Sequence, residues 1–539
     1  MSSEPARHPA VAPSAKEMRL VIGASSAGTV FEWYDFFIYG TLGAILSKTF
    51  FPTGNATLEM LLFWLVFAVG FGFRPLGAVL FGYLGDKLGR KYTFLVTVTL
   101  MGVATAGVGM VPSAATIGWW APAIVILLRI LQGLALGGEY GGAAIYVAEH
   151  SPYAKRGYFT SYIQASVVGG FVLSLVVVLG CKAVMSPETW TAWGWRVPFL
   201  LSILLLAISL WMRFKLSESP VFQAMKEEGE LAGNPFVESF TYPGNKKRIF
   251  IALFGVAAGL TVIWYTAMFS GLSFLQKTMR VEDTTAEILV GMAALIGMGF
   301  YVYFGHLSDR IGRKKPIVIG YALTLLLLFP TYWLLGSAVQ PAGGAKEWTI
   351  SGPDCEFSPF APVQATNCGK LMGDLSAAGI GYALKSATVL TLSHGDVAVP
   401  TAGLDWKDAK ARKAQIEGFA GARVFNEEKI KPNLGQSLQI LAALLVLMAL
   451  SGATYGPVAA LLAEMFPARV RYSSMSIPYH IGTGYFGGFL PFIAAYIVAK
   501  TGNPFSGLWY TWAVVLMAFL VALWGLPNGK PRDFGDDAG

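Results

Sequence analysis

The sequence alternates between long apolar segments and shorter polar ones. Each apolar segment is about 20 residues long or more, which lets a helix cross the roughly 30 Å hydrocarbon core of a bilayer. Six segments precede residue 215 and six follow residue 248. They run over 21–45, 60–84, 93–112, 120–148, 158–181 and 196–214, then over 249–275, 286–305, 316–337, 437–463, 473–499 and 507–526. This pattern predicts an all-α membrane protein with twelve transmembrane helices in two six-helix bundles.

The polar segments divide the chain into parts. We expect a polar tail at each end, a linker between the two bundles and one long insertion in the second bundle. The predicted parts are a tail over 1–20, a first bundle over 21–214, a linker over 215–248, a second bundle over 249–337 and 437–526, an insertion over 341–435 and a tail over 527–539.

Two short motifs occur once in each half. The pattern G-x-x-x-D-x-x-G-R-K starts at Gly82 and again at Gly305, after the second span of each half. The pattern E-x-x-P-x-x-x-R starts at Glu149 and again at Glu464, after the fourth span. Repeated loops after matching helices indicate a duplicated bundle, and such bundles move small solutes by rocking one half against the other. The sequence therefore predicts a transporter.

The spacing of these motifs locates the insertion. Glu149 follows Gly82 by 67 positions, whereas Glu464 follows Gly305 by 159. The excess of 92 positions matches the polar segment 341–435 between spans nine and ten.

The insertion contains two of the three cysteines. Cys355 and Cys368 are thirteen positions apart and form either a disulfide, if the insertion lies in an oxidising compartment, or two free thiols. His394 is the single histidine of the insertion, so no metal site is predicted.

Lysine and arginine are distributed unevenly between the two sets of loops. The segments on the side of the N-terminus hold 22 of them, and the short loops on the other side hold 5. The positive-inside rule therefore predicts that both termini are cytoplasmic and that the insertion is extracytoplasmic. Only 13% of residues are charged, compared with about 25% in soluble domains. The isoelectric point near 9.1 follows from this topology, so no nucleic-acid partner is predicted.

Two carboxylates lie inside the first span. Glu32 and Asp35 are three residues apart and share a helical face. Two carboxylates this close in a low dielectric repel each other, which favours protonation of one of them. We interpret the pair as a proton-coupling site. The alternative is a structural pair neutralised by a nearby arginine.

Two arginines lie deep inside spans. Arg74 belongs to span two and Arg129 to span four. A guanidinium does not lose its proton on burial, so each arginine needs an anion. That anion is either Glu139 or one of the first-span acids, or else the carboxylate of a substrate. Both interpretations stay open.

Weaker candidates for a central cavity are polar groups in other spans. Each of them has packing or hydrogen bonding within the protein as an equally simple explanation. They are Gln132, Gln164, Tyr265, Tyr455 and His480.

The motifs of several other protein classes are absent from the sequence. It contains no G-x-x-x-x-G-K-[ST], no H-E-x-x-H and no G-x-S-x-G. We therefore expect no cofactor, no enzymatic activity and no ATP-driven pumping.

The paired G-x-x-x-D-x-x-G-R-K loops resemble the hallmark of the major facilitator superfamily. Further segments resemble its metabolite:proton symporter family, among them Glu32-Trp-Tyr-Asp35-Phe, Gly72-Phe-Arg74-Pro-Leu-Gly77, Arg129-Ile-Leu-Gln132-Gly and Tyr455-Gly-Pro457. The resemblance implies a bacterial inner-membrane symporter that works by alternating access and is driven by protons. It also implies a cargo such as oxoglutarate, citrate, shikimate, proline or betaine. The insertion departs from the family pattern.

The resulting hypothesis is a proton symporter that imports a mono- or dicarboxylate, with small solute, protons and lipid bilayer as its partners and a monomer as its state. Alternatives are a symporter for a zwitterion, a facilitator or exporter of the same fold, and a membrane receptor with the insertion as its ligand domain. We expect a cytoplasmic charge latch between helix ends. Its predicted members are Asp86, Arg90, Glu149, Arg156, Asp309, Arg313, Glu464 and Arg471.

Overall fold

The computed structural model describes residues 15–88, 90–138, 140–214, 235–340, 346–420, 425, 428–467 and 470–529. In this part of the chain, ten helices are long and apolar enough to cross a membrane. The two further spans predicted from the sequence correspond to the helix that carries Glu32 and Asp35 and to the helix that contains the shorter apolar segment Leu95–Met110. The prediction of a helical membrane protein is confirmed.

The first half contains spans 1 to 6, several of them built from two helical segments. Span 1 is Ala15–Thr41, and the short helix Gly43–Phe50 follows it. The remaining spans are Ala56–Gly72 with Arg74–Leu88, Arg90–Met110, Trp120–Gly137 with Tyr140–His150, Arg156–Val184, and Val197–Leu200 with Ser202–Phe214. Short helices Ala114–Ile117 and Pro187–Ala192, and 3₁₀ turns Tyr153–Lys155 and Gly194–Arg196, connect them.

The second half contains spans 7 to 12, preceded by the helix Pro235–Thr241. Span 7, Asn245–Thr278, alternates α-helix with π-helical segments at Ile251–Ala257, Thr266–Ser270 and Phe274–Thr278. Spans 8 to 10 are Asp283–Ile311, Lys314–Gly336, and Leu434–Tyr455 with Val458–Met465. Spans 11 and 12 are Arg471–Ile481 with the π-helical Gly482–Gly488 and Leu490–Thr501, then Leu508–Gly525. π-Helical turns are frequent at functional sites, and here they occur in spans 7 and 11.

Glycines allow spans 2 and 4 to approach closely. A Cβ atom on Gly133 would collide with the carbonyl oxygen of Gly70, and one on Gly137 would collide with that of Arg74. Small residues at such crossings let backbones pack directly, as is common between membrane helices. The tight crossing fixes Arg74 and Arg129 beside each other in the first half.

The insertion folds as a small α/β unit with a hydrophobic core of its own. Its strands are β1 Trp348–Gly352, β2 Tyr382–Ser386, β3 Thr391–His394 and β4 Val397–Val399, in the order β2-β1-β3-β4. Strands β1 and β2 are parallel and the other pairs are antiparallel. Helices Asn367–Ala377 and Ala409–Ala420 complete the unit. Cys355 and Cys368 are joined as a disulfide with their Cα atoms 5.0 Å apart.

Backbone hydrogen bonds attach the insertion to the second half. The amide of Tyr382 donates to the carbonyl of Gly502 at 3.0 Å, and the amide of Ile430 donates to the carbonyl of Arg280 at 2.7 Å. The insertion also reaches the first half, where the side-chain amide of Asn55 donates to the carbonyl of Pro362 at 3.5 Å. The unit therefore lies across one end of the boundary between the halves.

Candidate functional site

Arg74 occupies a buried position between the two halves. It is the first residue of the second segment of span 2, and its side chain is 0% exposed. Its guanidinium carbon lies 4.0 Å from the ring centre of Phe71, 4.6 Å from Phe36 and 4.9 Å from Trp33. Its Nε and Nη2 have no hydrogen-bond partner in the described part of the chain. A buried guanidinium with free donors has the chemistry to bind an anion such as a carboxylate.

Polar side chains of the second half surround this guanidinium. Arg74 lies close enough to Tyr265, Tyr455 and Tyr479 for electrostatic interaction, and it also acts on His480. The hydroxyls of Tyr455 and Tyr479 are hydrogen-bonded at 2.7 Å. The Tyr265 hydroxyl and both ring nitrogens of His480 are buried without a hydrogen-bond partner among the described residues. Buried polar groups without partners are rare, and here they converge on one point at the boundary between the halves.

Arg129 is held within the first half. Its Nη1 donates to Oε1 of Gln132 at 2.8 Å and to the carbonyl of Phe36 at 3.4 Å. Gln132 in turn donates to the hydroxyl of Thr105 at 2.7 Å. No carboxylate of the described chain pairs with Arg129 or with Arg74, so the salt-bridge interpretation of these arginines gains no support from the described residues. Because Arg129 donates to Gln132 and Arg74 has no such side-chain partner among the described residues, we interpret Arg129 as a residue that stabilises the first half.

Three other predicted residues lie at different positions relative to the Arg74 guanidinium and its neighbours, which we call the Arg74 centre. Glu32 and Asp35 are 6% and 5% exposed, and the residues next to them, Trp33 and Phe36, contact the Arg74 guanidinium. Gln164 is buried in span 5. Glu139 lies outside the described residues.

An aromatic plug separates the Arg74 centre from one end of the molecule. We use this name for rings of the first half, Phe37, Trp64, Phe67, Phe71 and Phe171, and of the second half, Trp264, Tyr265 and Phe269. Ring centres lie 4.9 Å apart for Phe37 and Trp264, 5.4 Å for Phe71 and Tyr265, and 5.4 Å for Phe67 and Phe269. These three ring contacts join the first half to the second half.

A cavity of about 1270 Å³ lies beyond the plug, roofed by the insertion. We call it the vestibule. Trp64 and Phe269 of the plug line its inner end. Nine basic and five acidic side chains line it in the described part of the chain. The vestibule is open, whereas the opposite end of the molecule is closed by salt bridges.

The closed end, which we call the latch face, joins the halves through the two E-x-x-P-x-x-x-R motifs. Each motif gives its glutamate to the arginine of the other. Glu464 Oε1 lies 3.2 Å from Nη1 of Arg156, and Glu149 Oε1 lies 3.1 Å from Nη1 of Arg471. The sequence predicts these residues as a latch, and the structure brings all four to one face with partners exchanged between the halves.

The second G-x-x-x-D-x-x-G-R-K motif adds to the latch face. Arg313 binds Glu464 through Nε at 3.1 Å and Nη2 at 2.9 Å, and it binds Asp309 at 2.6 Å. The two carboxylate oxygens of Asp309 accept hydrogen bonds from the amides of Gly157 and Tyr158, both at 2.8 Å. These amides lie at the N-terminus of span 5, where the helix dipole favours a negative charge. The side chains of Asp86 and Arg90, the corresponding residues of the first motif, lie outside the described part.

One ion pair between the halves was not expected from the sequence. Lys182 at the end of span 5 binds both carboxylate oxygens of Glu287 in span 8, at 2.7 and 2.8 Å. The sequence signal was present, since Glu287 is an acid within the predicted eighth span. Nothing in the sequence indicates that Glu287 pairs with Lys182.

The chain is similar to known transporters. The profile of the family described as "Sugar (and other) transporter" matches residues 20–249. The proline/betaine transporter of Salmonella typhimurium is 35% identical over 330 residues, which cover 60% of this chain and 66% of that protein, just under two thirds of its length. The shikimate transporter of Escherichia coli is 35% identical over 379 residues, which cover 67% of this chain and 83% of that protein.

A solved structure extends this similarity to the fold. The sugar-bound structure of XylE, described as a major facilitator superfamily proton:xylose symporter, matches with a TM-score of 0.62 at 15% identity. The match covers 97% of this chain and 98% of XylE. At this identity the likeness concerns the fold alone, and it confirms the architecture of two six-helix bundles.

Proposed function

The chain belongs to the major facilitator superfamily, and we propose that it is a proton-coupled symporter that imports a small mono- or dicarboxylate by alternating access. The membrane is the inner membrane of a bacterium, with both termini and the latch face cytoplasmic and the vestibule outside. The working unit is a monomer.

The observation that carries the substrate class is the Arg74 guanidinium. It is fully buried, its Nε and Nη2 lack partners among the described residues, and aromatic rings rather than carboxylates surround it. A charge in this state is costly, and an anion that enters the site removes the cost. A carboxylate matches the planar fork of arginine in two parallel hydrogen bonds. Tyr265 and His480 supply further polar atoms on the opposite side.

The named cargoes of the two relatives support the same chemistry. Shikimate is a carboxylate, and proline and betaine are zwitterions that each carry one. A carboxylate is therefore the group that the three solutes share, and Arg74 is the residue that fits it. Other side chains contact the rest of the solute, so Arg74 alone does not identify which carboxylate is transported.

Proton coupling is assigned to Glu32 and Asp35. Both are buried one residue away from the aromatic contacts of Arg74, so their charge state and that of the substrate site influence each other through a low dielectric. A bound carboxylate neutralises Arg74, and a proton neutralises one acid of the pair. The loaded site then carries less uncompensated charge. The free-energy cost of an occluded state, in which the Arg74 centre is sealed from water at both ends of the molecule, is therefore lower.

Alternating access follows from the two ends of the molecule. The latch face holds the halves together while the vestibule is open. Inward release requires that the Glu464–Arg156 and Glu149–Arg471 pairs separate and that the halves close at the vestibule. The aromatic plug lies between the latch face and the vestibule. A solute therefore passes the plug in either direction only when the halves move.

The direct test is uptake by proteoliposomes under an imposed gradient. Purified protein is reconstituted, and accumulation of labelled shikimate and of alpha-ketoglutarate is measured with acid outside, with and without a protonophore. Competition by a panel of carboxylates, zwitterions and sugars defines the substrate class. Concentration of a carboxylate that the protonophore abolishes supports the proposal. Equilibration without concentration identifies a facilitator, and competition by sugars alone rules out a carboxylate cargo.

A second candidate is a symporter for a zwitterion with a quaternary ammonium group. The aromatic plug favours it, because Trp264 and Tyr265 present rings beside the Arg74 centre and such rings bind quaternary ammonium through cation–π contacts. In the competition assay, inhibition by betaine that exceeds inhibition by shikimate identifies this function.

A further inference from the structure

The acidic side chains of the vestibule wall are already engaged. Burial raises the pKa of Asp374 while its bond to Arg412 at 2.6 Å opposes that shift. The bond from the Thr285 hydroxyl and the ion pair with Lys431 lower the pKa of Glu282. Glu59 accepts the amides of Thr53 and Gly54, Glu287 binds Lys182, and Asp283 binds Lys429.

Two lysines of the same wall have no such partner in the described chain. Lys48 lies in the short helix after span 1, and Lys277 lies at the end of span 7, so one belongs to each half. Both are exposed and line the vestibule. Lys277 lies close enough to Lys48 and to Lys429 to feel their charges. Positive charges gathered in a cavity without matching acids make it a place where an anion is stabilised.

The roof of the vestibule strengthens this arrangement. Lys370 and Lys413 of the insertion also line the cavity, and the insertion is attached by backbone bonds to the half that carries Lys277. Field lines concentrate in a cleft with low-dielectric walls. The insertion thus shapes an electropositive chamber.

We propose that Lys48 and Lys277 form a vestibular binding site for small carboxylates, separate from the Arg74 centre and in front of it. The site captures the anion by charge before the aromatic plug opens. The place of this site in transport rests on the proposed carboxylate function. Because one lysine comes from each half, the rocking motion that closes the vestibule also rearranges the site and releases the anion inward.

The test uses a cysteine reporter inside the vestibule. Ser273 lines the cavity one helical turn before Lys277, so Ser273→Cys places a thiol beside the site. The native Cys181 is buried and the other two cysteines are bonded to each other. The rate of alkylation by a neutral maleimide is measured in reconstituted full-length protein, with succinate as the anionic probe and dimethyl succinate as the uncharged control, at constant ionic strength.

Succinate is expected to slow the labelling and dimethyl succinate to leave it unchanged. Lys48→Gln or Lys277→Gln should raise the succinate concentration for half-protection by about twofold to fivefold each. Lys385→Gln removes an exposed lysine of β2 that does not line the cavity and should change nothing. Equal labelling with and without succinate, or protection that both vestibule variants retain in full, overturns the site.

Arg74→Gln separates this proposal from the transport function. In the Ser273→Cys background, Arg74→Gln should abolish carboxylate uptake and keep the succinate protection. Loss of protection in Arg74→Gln overturns the separate site, since the anion would then act from the centre. Protection by succinate in the Ser273→Cys protein with Arg74 intact, together with no carboxylate uptake by the wild-type protein, supports the site and refutes the transport proposal.

Discussion

Glu464→Gln is the sharpest test of the latch. Glu464 is the only described acid that binds both an arginine of its own half, Arg313, and one of the other half, Arg156. Its side chain is 11% exposed, and the two arginines are 4% and 2% exposed. Glutamine keeps the size and one acceptor oxygen but removes the charge. Arg313 keeps its bond to Asp309, so we expect the second half to stay folded.

The magnitude follows from the one contact of Glu464 that joins the two halves and that the rocking motion breaks. A hydrogen bond to a charged group contributes about 1.5–3 kcal/mol. Arg156–Glu464 joins the halves, whereas Arg313–Glu464 lies within one half and persists when they separate. Loss of the first contact should therefore raise the ratio of latch-open to latch-closed protein by roughly 10- to 150-fold.

The assay uses a thiol that only the open latch exposes. Ser161 is 0% exposed at the contact between spans 5 and 8, where it touches Gly305. Ser161→Cys is alkylated from the latch side of inside-out vesicles, and its labelling rate reports the open population. Glu464→Gln should accelerate labelling, and Glu149→Gln should do so as well. Glu356→Gln, an exposed glutamate of the insertion, is the control. A labelling rate in Glu464→Gln equal to that of the control refutes the latch.

Three further predictions concern coupling and stability. Asp35→Asn and Glu32→Gln should abolish accumulation driven by a proton gradient while counterflow exchange continues; normal accumulation in both would remove the pair from coupling. Cys355→Ser opens a loop with a sequence separation of 13 and should lower the free energy of unfolding of the insertion by about 3 kcal/mol, measured by thermal melting; an unchanged melting profile would show that the disulfide does not stabilise the insertion. Gly133→Ala places a Cβ against a backbone carbonyl of span 2 and should destabilise the protein by about 1–3 kcal/mol, whereas Gly180→Ala meets nothing within 4 Å; equal melting temperatures would show that the crossing yields.

The spans were predictable because a bilayer requires long apolar helices, and that requirement is visible in the sequence. The π-helical segments of spans 7 and 11 were not, since no residue pattern distinguishes them from ordinary helix. They matter because Tyr265 directly precedes one and His480 lies two residues before another. The insertion was located by comparing motif spacings, but its sheet order depends on contacts between residues far apart in sequence.

The latch was predictable as a set of residues and not as a set of pairs. Within each motif, the glutamate and the arginine are seven positions apart, so a pair inside the motif was as reasonable as a pair between motifs. The structure pairs Glu149 with Arg471 and Glu464 with Arg156, so each glutamate binds the arginine of the other half. Arg74 likewise lies near the tyrosines of the second half, and the spacing of these residues in the sequence does not predict that proximity.

The central claim is that Arg74 binds the carboxylate of the transported solute. Counterflow of a labelled carboxylate that the wild-type protein accumulates tests it most directly, because exchange needs substrate binding but no proton gradient. The variants are Arg74→Gln, Arg74→Lys and, as a control, Arg310→Gln, which changes an exposed arginine of the latch face. We expect loss of exchange in Arg74→Gln, a raised KM in Arg74→Lys because lysine lacks the planar fork, and normal exchange in Arg310→Gln. Exchange at the wild-type rate and KM in Arg74→Gln would contradict the account.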